Sequence, residues 1–472
     1  MRVQSQPPRL LMPTGHLSDM SKSPRFLAPR WLAHTAAALV TLSCLNTPAG
    51  AAGAALETVT LRLPEGGKLS APFDRPRQLR VPPGYAIDLV ARVPGARFLA
   101  LAPNGDLLVS QPGSGGISLL AGAASGNTSP VPFADGLRKP HDMVFHQLDG
   151  KTWLYVAESH RIIRVPWQSG QRRLGEPEVV VDKLPDSSSP ELRGSYGHEL
   201  KNIALKDGKL YVSIASTCNA CETDVNADPV RGAIYEYEAR GGKPGRLFAR
   251  GIRNAEGLDF RPGSNELWVV VNNRDNIAYP FHKDADGDGS DDYGKVLPSW
   301  VDSHPPELLL KVRDGGNYGW PYCNSNPDQG MDNMPYDRDV ELNPDGSKLD
   351  CSKLDRPARG IAAHTAPLGM SFLPTENMNA PLAGGLAVAL HGCWNCTHLN
   401  GHKVVLYRVG RDGRVSEETD VVTGWLQDAK KRQRWGRPVD VIADDRGGLF
   451  ISDDHAGAVY RLHPQKGTGS KP

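Results

Sequence analysis

"GLRKPHDMVF" (136–145), "GIRNAEGLDF" (251–260) and "GRPVDVIA" (436–443) decide the fold, because they are one motif repeated along the chain. Each is followed by a turn and an alternating run: "LYVAES" (154–159), "LWVVVNN" (267–273) and "LFISDD" (449–454). "LLVSQP" (107–112) and "LYVSIAS" (210–216) match those runs. Alternation with period two, bounded by Gly, Asp and Asn, reads as short antiparallel strands. Recurrence every few tens of residues is the spacing of propeller blades with four strands each. The repeats divide the chain into units at 84–121, 131–167, 178–238, 246–282, 359–408 and 419–463. The expectation is an all-β, six-bladed β-propeller with an elaborated loop region between the fourth and fifth blades. No amphipathic helical stretch separates the strands, which disfavours a parallel α/β sheet.

Composition agrees with that reading. The 472 residues include 50 Gly and 39 Pro, enough for many turns and few long helices. With 54 basic against 53 acidic side chains, the net charge of +1 offers no footprint for nucleic acid or an anionic membrane. A small neutral partner fits better.

Arg25 and Arg30 precede an apolar run from Ala36 to Leu45 and the small residues Ala49, Gly50, Ala51 and Ala52, the order of a secretory signal. A permanent membrane helix needs about 20 apolar residues, more than this run provides. Cleavage near Ala51 or Ala54 is expected, giving a periplasmic or secreted chain. The division is a signal and leader at 1–54, an N-terminal segment at 55–80, the propeller at 81–466 and a tail at 467–472. Cys44 falls inside the leader, leaving Cys218, Cys221, Cys323, Cys351, Cys393 and Cys396. An even count in an oxidising compartment implies disulfides. Connectivity is not readable from sequence; two local pairs plus Cys323 with Cys351 is the simplest arrangement. Zinc is the alternative for the two CxxC pairs. Haem attachment is excluded because Glu222 and Thr397 stand where His is required.

Loops at one end of a propeller converge on its axis, so polar residues at matching strand ends are the first suspects for chemistry. His198, in "GSYGHELKNIAL", precedes one such strand; Arg253 and Asn254 occupy the equivalent place a blade later, and Arg437 occupies it in the sixth. A His with two Args can pair a general base with groups that stabilise developing negative charge. The alternative is structural: a hydrogen-bonded His, and Args paired with neighbours such as Glu256 and Asp440. In "HKDADGDGSDDYG" (282–294), Asp284, Asp286, Asp288 and Asp292 alternate around Gly289 like the start of a calcium loop. Lys295 replaces the expected bidentate Glu. An acidic solvated loop is the competing reading.

These blade motifs, with "VNNRD", "DGGNYGWPY", "HTAPLGMSF", "HGCWN" and "GRPVDVIADDRGGLFISDDHAGAVYRL", resemble the soluble quinoprotein sugar dehydrogenases over about residues 80–465. The branch they resemble most is that of sorbosone dehydrogenase, beside soluble glucose dehydrogenase. The resemblance implies an enzyme that oxidises a sugar, sugar aldehyde or related alcohol by hydride transfer to pyrroloquinoline quinone (PQQ) with Ca2+. It implies re-oxidation by an acceptor such as a cytochrome or a quinone. It implies His198 as general base, Arg253 and Asn254 beside the cofactor, and the main-chain carbonyls of Asn273 and Arg274 as calcium ligands. A basic cofactor contact falls near His391, where the relative has Lys, and another on Arg437. Lys201 stands where sorbosone-type sequences place Arg, and Cys393 and Cys396 replace residues of a "GSWNR"-like motif. Two other functions fit a propeller: a calcium-dependent lactonase, requiring carboxylates converging on the axis, and a non-enzymatic binding platform.

Overall fold

The computed structural model describes residues 55–64, 69–126 and 128–465. The expected signal and leader, with Cys44, and the C-terminal tail lie outside the described residues. Six antiparallel units follow one another as propeller blades, five of four strands and the third extended by a short parallel strand, Gly316–Asn317, beside Arg246–Arg250. The first comprises Leu99–Leu101, Leu107–Gln111, Gly116–Leu120 and Val131–Ala134. The sixth comprises Pro438–Ala443, Leu449–Asp453 and Ala458–Pro464, and Tyr85–Arg92 from the other end of the chain completes it. That closure pairs Tyr85 with Pro464 and Arg92 with Ala458, so the ring leaves no unpaired seam between first and last blades.

The blade limits read from the repeats are each displaced by one strand. Val131–Ala134, Glu178–Val181, Arg246–Arg250 and Thr419–Val422 were assigned to the start of a unit, but each hydrogen-bonds as the outer strand of the preceding blade. Alternation identifies a strand but not its ladder partner. The elaborated region occupies the expected stretch, and the chain returns from it through Arg359–Ile361, the fourth strand of blade four. A disulfide between Cys323 and Cys351 closes part of this excursion. The CxxC pairs are disulfides as well, Cys218 with Cys221 and Cys393 with Cys396, so the zinc reading falls away.

Blades adhere through apolar faces. Leu108 and Leu119 of the first pack with Leu154, Val156 and Ile163 of the second, all fully buried. Each such side chain contributes roughly 1.5–3 kcal/mol. The Asp of the repeated motif has a separate task. Asp142 accepts from the backbone N–H of Ile203 at 2.8 Å, Asp259 from Phe372 at 2.9 Å and Asp440 from Leu99 at 2.9 Å. Each carboxylate therefore staples its inner strand to the inner strand of the next blade. Asp440 is thus a blade staple, which leaves Arg437 without the salt-bridge partner suggested from sequence.

Strand direction alternates, so the loop entering each inner strand and the loop joining the second and third strands open at the same end. His198, Arg253, His364 and Arg437 precede or open inner strands, while Asn273, His391 and Asp454 follow second strands. One end of the ring therefore gathers all of them. No helix among the described residues is long and apolar enough to cross a membrane.

Candidate active site at the axial end

A cavity of about 430 Å³ opens at this end, lined by Arg97, Lys139, His198, Glu199 and Glu256 among others. A larger one, about 710 Å³, lies at the opposite end around Arg446 and Ser125, away from the converging loops. His198 is held by Ser216, whose carbonyl lies 2.9 Å and whose hydroxyl lies 3.0 Å from Nδ1. A carbonyl only accepts, so Nδ1 carries the proton and Nε2 keeps its lone pair. Burial, reinforced by the Arg253 charge, pushes the His198 pKa down to about 4. The imidazole is therefore neutral at pH 7 and has a nitrogen able to take a proton.

Arg253 is buried, and its guanidinium is fixed on all sides. Nε donates to the Asn219 carbonyl at 3.1 Å, and Nη2 reaches Asn219 Oδ1 and Asp275 Oδ2, each at 3.1 Å. Asp275 is shared with His364, whose Nδ1 is 3.5 Å from Asp275 Oδ1 while its Nε2 is 2.7 Å from the Val301 carbonyl. Both His364 nitrogens face acceptors; burial works to lower its pKa, but Asp275, Glu307 and the Val301 carbonyl together raise it above the ordinary value. Asn254 donates to Glu256 at 3.0 Å, and Glu256 also faces His141 at 3.4 Å.

Arg437 donates to the carbonyls of His391 at 3.0 Å and Gly392 at 2.7 Å, which brings the fifth and sixth blades' residues together as expected. His391, where the resemblance implies a basic contact, carries no charge near neutrality. Burial lowers its pKa to about 4, and Nε2 is 2.9 Å from Asp454. The positive charge here comes from Arg437 and from Arg97, whose Nη1 is 2.9 Å from the other Asp454 oxygen. Lys201 is fully buried and donates to the Glu199 carbonyl at 2.5 Å beneath Tyr196, outside the cavity lining.

Asn273 and Arg274 form a braced corner. The Asn273 N–H donates to Glu307 at 2.5 Å and its side chain to the Pro306 carbonyl at 3.0 Å. The Arg274 guanidinium is taken up by Asp339 and Glu341. Among the described residues neither main-chain carbonyl of this corner is an acceptor, so both oxygens are free for a hard cation. In the acidic loop, Asp284, Asp286 and Asp292 place ligand atoms within 4.8 Å of one another, and Asp288 is not part of that group. Asp288 instead accepts from Ser290, and the Lys295 ammonium sits 2.8 Å from Asp292. That lysine already supplies a positive charge to the group.

Arg97, Asp275, Glu307, His364 and Asp454 were missed by sequence reasoning. Arg97 had a signal, since it stands just ahead of the first inner strand as Arg253 and Arg437 stand ahead of theirs. Asp275, His364 and Asp454 act from loops and Glu307 from the start of the strand Glu307–Val312, and only the folded ring brings them to the site.

The donor set suits a polyanionic quinone. Arg97 and Lys139 line the cavity, Arg253 and Arg437 stand at the same end of the ring, and among the described residues Arg97 Nε is buried there without a partner. Unpaired buried donors are costly, and an anionic ligand would satisfy them.

Comparison with known proteins bears on the fold that carries this site. The TrAA12-like family model matches residues 79–465. A relative in Borreliella burgdorferi, whose name assigns no function, is 24% identical over 399 residues, covering 82% of this chain and 91% of its own. Among solved structures, the holo form of the pyranose dehydrogenase PQQ domain from Coprinopsis cinerea aligns with TM-score 0.65 at 18% identity, over 85% of this chain and 100% of its own. The Trichoderma reesei carbohydrate-active enzyme of family AA12 aligns with TM-score 0.63 at 19% identity, over 81% and 97%. The Escherichia coli soluble aldose sugar dehydrogenase aligns with TM-score 0.54 at 16% identity, over 80% and 99%. The chain belongs to the TrAA12-like family.

Proposed function

We propose that this protein oxidises a sugar, sugar aldehyde or related alcohol, of the aldose or sorbosone type, using pyrroloquinoline quinone held through calcium. The observation that carries the proposal is His198: a neutral imidazole with a fixed tautomer and a free Nε2, in the same cavity as a set of cationic side chains. When bound, the quinone supplies the acceptor for the hydride leaving the sugar carbon. His198 Nε2 takes the proton of the hydroxyl on that carbon, and the Ser216 carbonyl steadies the imidazolium through Nδ1–H. Arg253 keeps a full charge in a buried setting, where it stabilises negative charge more strongly than it would in water. Arg97, Arg437 and Asn254 would bind the cofactor's polar edge. The carbonyls of Asn273 and Arg274 would hold calcium, with Glu307 bracing their corner.

The lactonase alternative needs carboxylates free to bind metal at the axis. Glu256 and Asp275 are each engaged already, by His141 and Asn254 and by Arg253 and His364. The proposal extends to an exported chain re-oxidised by a separate electron acceptor. Purified protein stripped with chelator, then given quinone, calcium, an artificial acceptor and a panel of sugars and alcohols, tests it. Turnover that requires both additions is expected. Full cofactor affinity in excess chelator would remove calcium from the proposal, and no turnover on any substrate would overturn the dehydrogenase.

A further inference from the structure

Trp394 is 66% exposed, more than any other large apolar side chain among the described residues. Single exposed apolar side chains are by themselves ordinary. This one rides on a loop fastened from every side. Cys393 and Cys396 are joined on either side of it and are buried. Arg432 donates 2.8 Å to the Trp394 carbonyl and 2.9 Å to that of Cys396. Asn395 reaches Asn276 Oδ1 at 3.1 Å and Asp275 Oδ1 at 3.4 Å. Thr397 donates its N–H to Asp302 at 2.8 Å. The backbone that carries the indole is therefore ordered in advance, which lowers the cost of binding against it.

Its position sets what it could bind. Asp275 connects the loop to Arg253, so Trp394 stands at the catalytic end. The cavity around His198 is lined from the first four blades, and Trp394, in the fifth, is not part of that lining. A ring presented to His198 thus lies beyond the indole, and the next ring of a longer sugar is the group that meets it. Pyranose rings carry C–H bonds on their faces and hydroxyls on their edges, matching an indole with an electron-rich face and a polar rim.

Resting on the dehydrogenase reading, we propose that Trp394 is a stacking platform for the second ring of a di- or oligosaccharide whose first ring is oxidised at His198. The substrate class is then a glycoside-linked sugar rather than only a free monosaccharide.

The test compares glucose with maltose and cellobiose in wild-type, Trp394→Phe and Trp394→Ala proteins loaded with quinone and calcium. The alanine variant is expected to lose about tenfold in kcat/KM for a disaccharide while glucose stays within about twofold; the phenylalanine variant retains most of the difference. Equal losses on glucose and disaccharides, or no loss on either, would overturn the platform. So would an effect confined to the concentration dependence of a protein electron acceptor. If the loaded wild type oxidises none of these sugars, the dehydrogenase reading has failed, and fluorescence of the cofactor-free protein decides the platform instead. Maltose or cellobiose should then quench wild type more than Trp394→Phe, with glucose giving no difference; identical quenching would reject it.

Discussion

Replacing Asp275 with Asn tests the electrostatic frame of the site, because one carboxylate lies between the buried Arg253 guanidinium and the buried His364 imidazole, whose pKa is raised. Its Oδ2 lies 3.1 Å from Arg253 and its Oδ1 3.5 Å from His364, whose second nitrogen is committed to the Val301 carbonyl. Removing one partner of a buried ion pair costs about 3–5 kcal/mol, since the charge left behind stays desolvated. Asp275 retains 20% side-chain exposure, so the lower end, about 3 kcal/mol, applies. With an unfolding entropy of about 2.1 cal/mol/K per residue over about 400 residues, that is a fall in Tm of about 4 °C. Thermal melts of the cofactor-free, disulfide-intact protein measure it. Adding His364→Gln removes one of the two stranded cations, so the double variant should recover about 1 kcal/mol or more relative to Asp275→Asn. A single variant melting within about 1 °C of wild type, or a double variant whose loss is the plain sum, would refute a charged His364 opposite a charged Arg253.

Other outcomes follow from the same geometry. Because the His198 pKa is lowered to about 4, its basic form persists down to that pH; the C2–H resonance should titrate near 4, and the acid limb of quinone reduction should fall there rather than near 6.5. A midpoint near 6.5 would contradict the burial assigned to the ring. Arg253→Ala should slow quinone reduction by roughly a hundredfold or more and weaken cofactor binding, both read by absorbance; unchanged reduction would remove its role in charge stabilisation. Intact mass of the exported chain should correspond to a start after Ala51 or Ala54 and rise by six hydrogens on reduction of the three disulfides; a chain retaining its leader would contradict export.

Much of the ring was legible because each blade repeats the same alternation, and repetition survives even where individual strands are weak signals. The strand limits slipped because an outer strand such as Val131–Ala134 is followed in sequence by the next blade's inner strand, while its hydrogen bonds run back to Gly116–Leu120. His198, Arg253 and Arg437 were legible through their shared place ahead of inner strands. Asp275, His364 and Asp454 were not, since nothing local distinguishes an Asp after a strand from a solvated one. Their roles arise only when folding returns Asp275 to Arg253 within its own blade and brings His391 and Arg97 to Asp454 from the neighbouring blades. His391 shows the converse: its type offers a titrating cation, but burial keeps it neutral against the opposing pull of Asp454. In the acidic loop, alternation put Asp288 among the ligands, but the turn through Gly287 and Gly289 folds Asp292 back to that place.

His198→Gln in folded, quinone-loaded protein, followed by single-turnover reduction of the bound quinone on addition of substrate, bears most directly on the central claim. Gln keeps comparable size and a hydrogen bond toward Ser216 but cannot take the proton, so the cofactor should still bind while its reduction slows about a hundredfold or more. Reduction at the wild-type rate would contradict His198 as the base.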